Sequence, residues 1–319
     1  MSDEKQGCFA GRKAIWMWEY SQQAEQQIEQ VAETALRLAG CEVVLLKAMD
    51  GTDWMNIYDR GAGAIDGLAG WQATVRRGAA TGISVLPWVV PHGENPASEA
   101  GLHAQLGDTL VCDIEPYAAF FTGGAGNIPA YLAALRAAGA GQIYASIDPR
   151  PSAIAALDLP AWAPLVDGFL PQVYFTDFGG DPLEVIPMLG RLCGLGKPVV
   201  PVLPGNAQPA DLRSVWVLAQ ALGCTGVSIW RLGSMDADQL RVFAELLMPA
   251  LPADTGQAAL QWRITVAGKA LSAASELLAG TSGPARSNLA GAVADIDALI
   301  QALATSADAP TGKGKGGKP

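Results

Sequence analysis

Histidine is nearly absent from this chain and cysteine is sparse. His92 and His103 are the only two histidines among 319 residues, so a histidine-rich zinc site is excluded by count. The five cysteines (Cys8, Cys41, Cys112, Cys193 and Cys224) show no CxxC spacing and are odd in number. Cys112 falls inside a β-rich run and Cys41 and Cys224 lie beside such runs, which suits small buried hydrophobes better than disulfides or metal ligands. No apolar run reaches the ~18 residues from which a membrane span is read. A net charge of −10 argues against binding nucleic acid through a general basic surface. The opening Met1-Ser-Asp-Glu-Lys-Gln-Gly-Cys-Phe9 has neither the charged n-region nor the apolar h-region of a secretory leader. Synthesis in a reducing cytoplasm is therefore expected.

What the chain does have is apolar bulk and regular punctuation. Half of its residues are hydrophobic, with 37 glycines and 21 prolines, ample for a large core. Short apolar runs alternate with amphipathic stretches. The runs are Ala14–Glu19, Glu42–Lys47, Ser84–Val90, Thr109–Ile114, Gln142–Ile147, Gly168–Tyr174, Val199–Leu203 and Gly226–Trp230. Between and after them the pattern predicts helices over Gln22–Ala39, Asp66–Thr81, Pro96–Leu106, Ile128–Ala138, Pro151–Val166, Pro182–Cys193, Pro209–Leu222 and Asp236–Met248. The Pro151–Val166 stretch is broken by Pro160 and Pro164. Eight βα units in a row predict an α/β fold, a (β/α)8 TIM barrel. A doubly wound open sheet is the alternative, but the first strand runs into Trp16-Met-Trp-Glu-Tyr20 rather than a glycine-rich phosphate turn. The expected organisation is a flexible N-terminus (1–13), the barrel (14–250), an α-helical hairpin extension (255–305) as a possible protein-docking element, and a disordered Gly/Lys tail (306–319).

In such a barrel the chemistry collects where the strands end at their carboxyl side. The fourth strand ends in Asp113-Ile-Glu115. Residues i and i+2 of a strand share a face about 6.6 Å apart, so this strand presents two acids together. A paired acid and carboxylate is what glycosidic-bond chemistry uses. Elsewhere an Asp-x-Glu is usually a solvated or capping pair, so its place on the strand carries the reading. The other strand ends supply Trp18, Glu19, Lys47, Asp50, Trp54, Trp88, His92, Asp148, Gln172, Tyr174 and Trp230 as candidate substrate contacts. Aromatic rings beside carboxylates suit a sugar, whose apolar face stacks on them. Trp16 is expected to pack against the helices, and Lys47 to neutralise a mouth carboxylate. An aldolase-type Schiff base on Lys47 and a divalent ion on Asp50, Asp113, Glu115 and Asp148 are the lesser alternatives. No cofactor and no metal are expected.

The fourth-strand segment Asp108-x-x-Val111-x-Asp113-x-Glu115 resembles the Asp-x-x-Asp-x-Asp-x-Glu pattern of family-18 glycoside hydrolases, the chitinases and endo-N-acetylglucosaminidases. It matches three of the four acids, with Val111 in place of the inner aspartate. Pro171-Gln-Val-Tyr174 and Gly226-Val-Ser-Ile-Trp230 are similar to that family's sixth- and eighth-strand segments. The family-25 phage-type lysozymes are a second resemblance, through Asp-x-Glu on the same strand. The family-18 resemblance implies substrate-assisted retaining hydrolysis of N-acetylated glycans such as chitin or peptidoglycan. In it Glu115 is general acid, Asp113 orients the 2-acetamido group, Tyr174 hydrogen-bonds that group and Trp230 floors the pocket. With no leader recognised, action on a cell wall would need release by another route. The competing expectation is a non-catalytic glycan-binding or structural barrel within a larger phage- or injection-system-like assembly.

Overall fold

The structure is a computed structural model that describes residues 8–21, 27–37, 41–178 and 185–246. The chain divides into two units, 1–249 and 250–319. The second unit, and with it the expected hairpin and tail, lies outside the described residues.

Among the described residues nine strands form one sheet: β1 (Lys13–Met17), β2 (Cys41–Asp50), β3 (Asp53–Trp54), β4 (Ser84–Val90), β5 (Thr109–Asp113), β6 (Gln142–Ile147), β7 (Gly168–Pro171), β8 (Val202–Pro204) and β9 (Val227–Trp230). Eight of them run parallel in the order β7-β6-β5-β4-β2-β1-β9-β8, and β3 is a short antiparallel appendage of β2. Parallel bridges Phe169–Val199 and Gln172–Val202 join the two ends, so the sheet is a nearly closed (β/α)8 barrel. The helices are α1 (Ile28–Arg37), α2 (Leu68–Ala80), α3 (Pro96–His103), α4 (Ile128–Ala137), α5 (Pro151–Ala156), α6 (Leu159–Trp162), α7 (Val185–Cys193), α8 (Pro209–Ala221) and α9 (Ala237–Glu245). The stretch read as one broken helix before the sixth barrel strand is thus α5 and α6. Among the described residues no helix is long and apolar enough to cross a membrane.

The strands are apolar on both faces because one faces the helices and the other the barrel interior. β1 is buried along its whole length. Its Ala14 and Trp16 join Val43, Leu45, Val111, Tyr144 and Val202 in the interior cluster. Trp16 therefore points into the barrel, not toward the helices: it shares the parity of Ala14. Residues 8–12, part of the stretch expected to be a flexible N-terminus, turn beneath the barrel and bury Phe9 edge-on against Tyr144, ring centroids 4.9 Å apart. Gly168 on β7 is required there, since a Cβ would lie 2.7 Å from the Tyr144 ring and 2.8 Å from the Pro198 carbonyl oxygen. Proline at or next to the first position of α3, α4, α5 and α8 starts those helices with its φ already set. Gly223, at φ +88°, turns the chain out of α8 in the left-handed region.

One of the two histidines belongs to this framework. His103 is fully buried, with Nε2 2.8 Å from the Gly51 carbonyl oxygen and Nδ1 2.7 Å from the Tyr131 hydroxyl. Burial pushes its pKa down to about 4, so the neutral ring donates to the carbonyl and accepts from the phenol, tying α3 to the loop after β2.

Candidate active site

At the carboxyl ends of the strands lies a cavity of about 550 Å³. Ladder pairing carries one more residue past the end of β5, through Ile114 N–H to the Ser146 carbonyl. Asp113 and Glu115 are thereby held on the interior parity, buried, where β5 meets its loop. One side chain connects them. Gln172 Nε2 donates to Asp113 Oδ1 at 2.9 Å and to Glu115 Oε1 at 2.7 Å, and lies 3.2 Å from Ser146 Oγ. An amide nitrogen carries two hydrogens, and both point at the acid pair. Asp113 and Glu115 share that amide, so the charge on one bears on the proton of the other.

Burial raises the Glu115 carboxyl, and the adjacent Asp113 charge raises it further, to about 8. Burial also raises Asp113, to about 6, against the Ser146 hydroxyl and the Lys47 ammonium, which favour its charged form. Between those values the pair holds a single proton, resident mainly on Glu115. The site therefore presents a neutral carboxylic acid beside a carboxylate at ordinary pH.

The floor is aromatic. Trp16, Trp88 and Trp230 meet edge to face, with centroids 5.3, 5.9 and 5.6 Å apart, and Tyr174 lies 6.5 Å from Trp230. Trp16 Nε1 donates to Ser228 Oγ at 3.1 Å, which satisfies the one polar atom of a buried indole. The Trp230–Arg231 peptide is cis. Arg231 lies over the Trp18 ring at 5.0 Å. Burial raises the Tyr174 hydroxyl well above its usual value, so it is a neutral donor.

Two ion pairs frame the acids. Lys47 Nζ sits 2.9 Å from Asp50 Oδ2 and over the Trp88 ring at 5.1 Å. Asp50 also takes His92 Nε2 at 2.7 Å. Across the mouth, Arg150 Nε contacts Asp148 at 2.9 and 3.0 Å, the Tyr117 hydroxyl bonds the same carboxylate, and the guanidinium stacks 3.9 Å from the Phe178 centroid. Of the four acids weighed as ion ligands, Asp50 and Asp148 are thus held by cations of their own, while Asp113 and Glu115 share Gln172. Among the described residues no three metal-ligating side chains converge.

Of the residues selected from the sequence, Glu115, Asp113, Tyr174, Trp18, Lys47, Trp88, Asp148, Gln172 and Trp230 line the cavity. Asp50 and His92 stand behind Lys47 and fix it. Glu19 is half-buried beyond the interior parity of Trp18, and Trp54 sits on β3, paired with Met49; neither lines the cavity. Sequence reasoning missed Trp16, Phe120, Arg150 and Phe178 as lining residues. The alternation of Trp16 with Trp18 was the available signal for the first. The other three come from loops.

No family model matches the sequence, and no curated protein sequence matches it. Solved structures do match. An endo-β-1,4-mannanase from Thermotoga petrophila superposes with a TM-score of 0.53 at 12% identity, over 77% of this chain and 78% of the mannanase. The fold is a (β/α)8 barrel. An endo-β-1,3-glucanase from Amycolatopsis mediterranei (TM-score 0.45, 13% identity, 74% of this chain and 99% of that one) and a chitinase from Chromobacterium violaceum (0.45, 13%, 73% and 97%) resemble it less closely. At 12% identity the likeness to the mannanase speaks to fold alone, and the side chains must speak to reaction.

Proposed function

We propose that this chain is a glycoside hydrolase that cleaves N-acetylated polysaccharide, with Glu115 as the proton donor. The observation that carries the reading is the Glu115–Gln172–Asp113 arrangement: one proton on two buried acids, in a cavity floored by indoles. Trp230 and its neighbours stack on the apolar face of a sugar. Glu115, protonated, gives its proton to the glycosidic oxygen as the bond to the anomeric carbon breaks. Asp113, charged in that same state, aligns the N–H of a 2-acetamido group, whose carbonyl oxygen takes the anomeric carbon. The Tyr174 hydroxyl donates to that group. Glu115, now a carboxylate, draws a proton from the water that opens the intermediate. Such a route needs an acid and a positioning group rather than a protein nucleophile. The preference for an acetamido sugar rests on the resemblance of the β5 segment to family 18, and the barrel shared with the mannanase is a scaffold suited to it.

Val111 favours a second reading, a barrel that binds glycan without cleaving it. Val111 is fully buried and registers with Trp88, so the position that holds an acid in the resembled family is here part of the apolar interior. Incubation with chitin and peptidoglycan fragments separates the two. Release of new reducing ends, abolished in Glu115→Gln with folding unchanged, supports hydrolysis. Binding without turnover from pH 4 to 8 supports the second.

A further inference from the structure

Cys193 and Cys224 are 31 residues apart in sequence, yet their sulfurs lie 3.9 Å apart. Cys193 is the last residue of α7, and Cys224 follows α8 on the approach to β9. Both stand at the end of the barrel opposite the cavity, because helices run antiparallel to the strands they follow. Cys224 is buried and Cys193 half-buried, so Cys193 is the more accessible of the two.

We propose that Cys193 and Cys224 are a disulfide site, closed by small-molecule disulfides such as glutathione disulfide when the protein leaves a reducing compartment. The Cys193 thiolate attacks one sulfur of the reagent, breaking its S–S bond and expelling one thiolate. The Cys224 thiolate then attacks the Cys193 sulfur of the mixed disulfide and expels the second. Two protein thiols are oxidised, two reagent thiols are formed, and the two protons leave on them or to solvent. The sulfurs must close from 3.9 Å to about 2.05 Å. The contact to Cys193, and burial, raise Cys224 above the ordinary thiol range, so closure is slow at neutral pH and faster in alkali. The bond would tie the end of α7 to the approach to β9 across β8 and α8, stapling the closing edge of the barrel without touching the mouth.

The test is intact-mass and peptide analysis of the full chain held in excess glutathione disulfide, then unfolded and alkylated. The expected product is 2 Da lighter than the reduced chain, carries a Cys193–Cys224 linked peptide and takes alkyl groups on Cys8, Cys41 and Cys112. By the effect of a crosslink on the unfolded chain, it melts about 5–10 °C higher than the reduced chain. Cys193→Ser and Cys224→Ser form no such link. Five alkylated cysteines after oxidation, or glutathione left on Cys193 without closure, would overturn the proposal.

Discussion

Glu115 is placed where its proton is most useful and its charge least welcome. Burial raises it to about 8 and Asp113 to about 6, so kcat/KM is expected to be bell-shaped. It falls below about pH 6 as Asp113 protonates and above about pH 8 as Glu115 loses its proton. The same shifts bear on stability. A carboxyl whose folded pKa lies above its unfolded value contributes stability that is fully present below the unfolded value. That stability is lost as pH rises through the folded one. Glu115→Gln should therefore melt higher than the parent at pH 8.5 and no higher at pH 4, by calorimetry at both. A variant that is less stable at high pH would contradict a buried, strained acid. Gln172→Leu removes the two donors on the pair, and the apparent acid limb of the rate profile should move upward as Asp113 loses a hydrogen bond to its charged form.

At the scale of elements, the parity of a strand was legible in the sequence and its depth in the barrel was not. The alternation Val111, Asp113, Glu115 placed the acids together, and Gln172 and Trp230 followed from the ends of their own strands. Trp16 was assigned to the helix side although it shares parity with Trp18, because an apolar run buried on both faces gives no sign of which face is inside. Asp50 and His92 were taken for substrate contacts. They lie outside the cavity lining, where Asp50 pairs with the Lys47 ammonium and His92 in turn with Asp50. Phe120, Phe178 and Arg150 come from loops, whose path no periodicity describes. The Cys193–Cys224 contact was invisible for the same reason: it joins a helix end to a loop. Two element-level variants follow. Trp16→Ala should destabilise by about 3–5 kcal/mol, the cost of an interior indole cavity, measured by urea unfolding, and should weaken glycan binding with it. Asp236 caps α9 through its side chain to the Asp238 and Gln239 amides at 2.9 Å, so Asp236→Ala should cost about 1 kcal/mol with kcat unaffected.

For the whole molecule, the barrel gathers side chains from strands far apart in sequence to one mouth, while the opposite end is closed by Phe9 and Tyr144. The eight-fold repeat made that architecture readable from pattern alone. The proposed reaction rests on few residues, and all of them converge on one proton. The most direct measurement is the rate of reducing-end release from N-acetylglucosamine oligomers by the parent and by Glu115→Gln at pH 7. The account predicts measurable turnover for the parent and a loss of about 10²–10⁴-fold for the variant, the range for removing a general acid, with oligomer affinity retained. Equal rates in the two proteins, or no turnover in either despite tight binding, would contradict it.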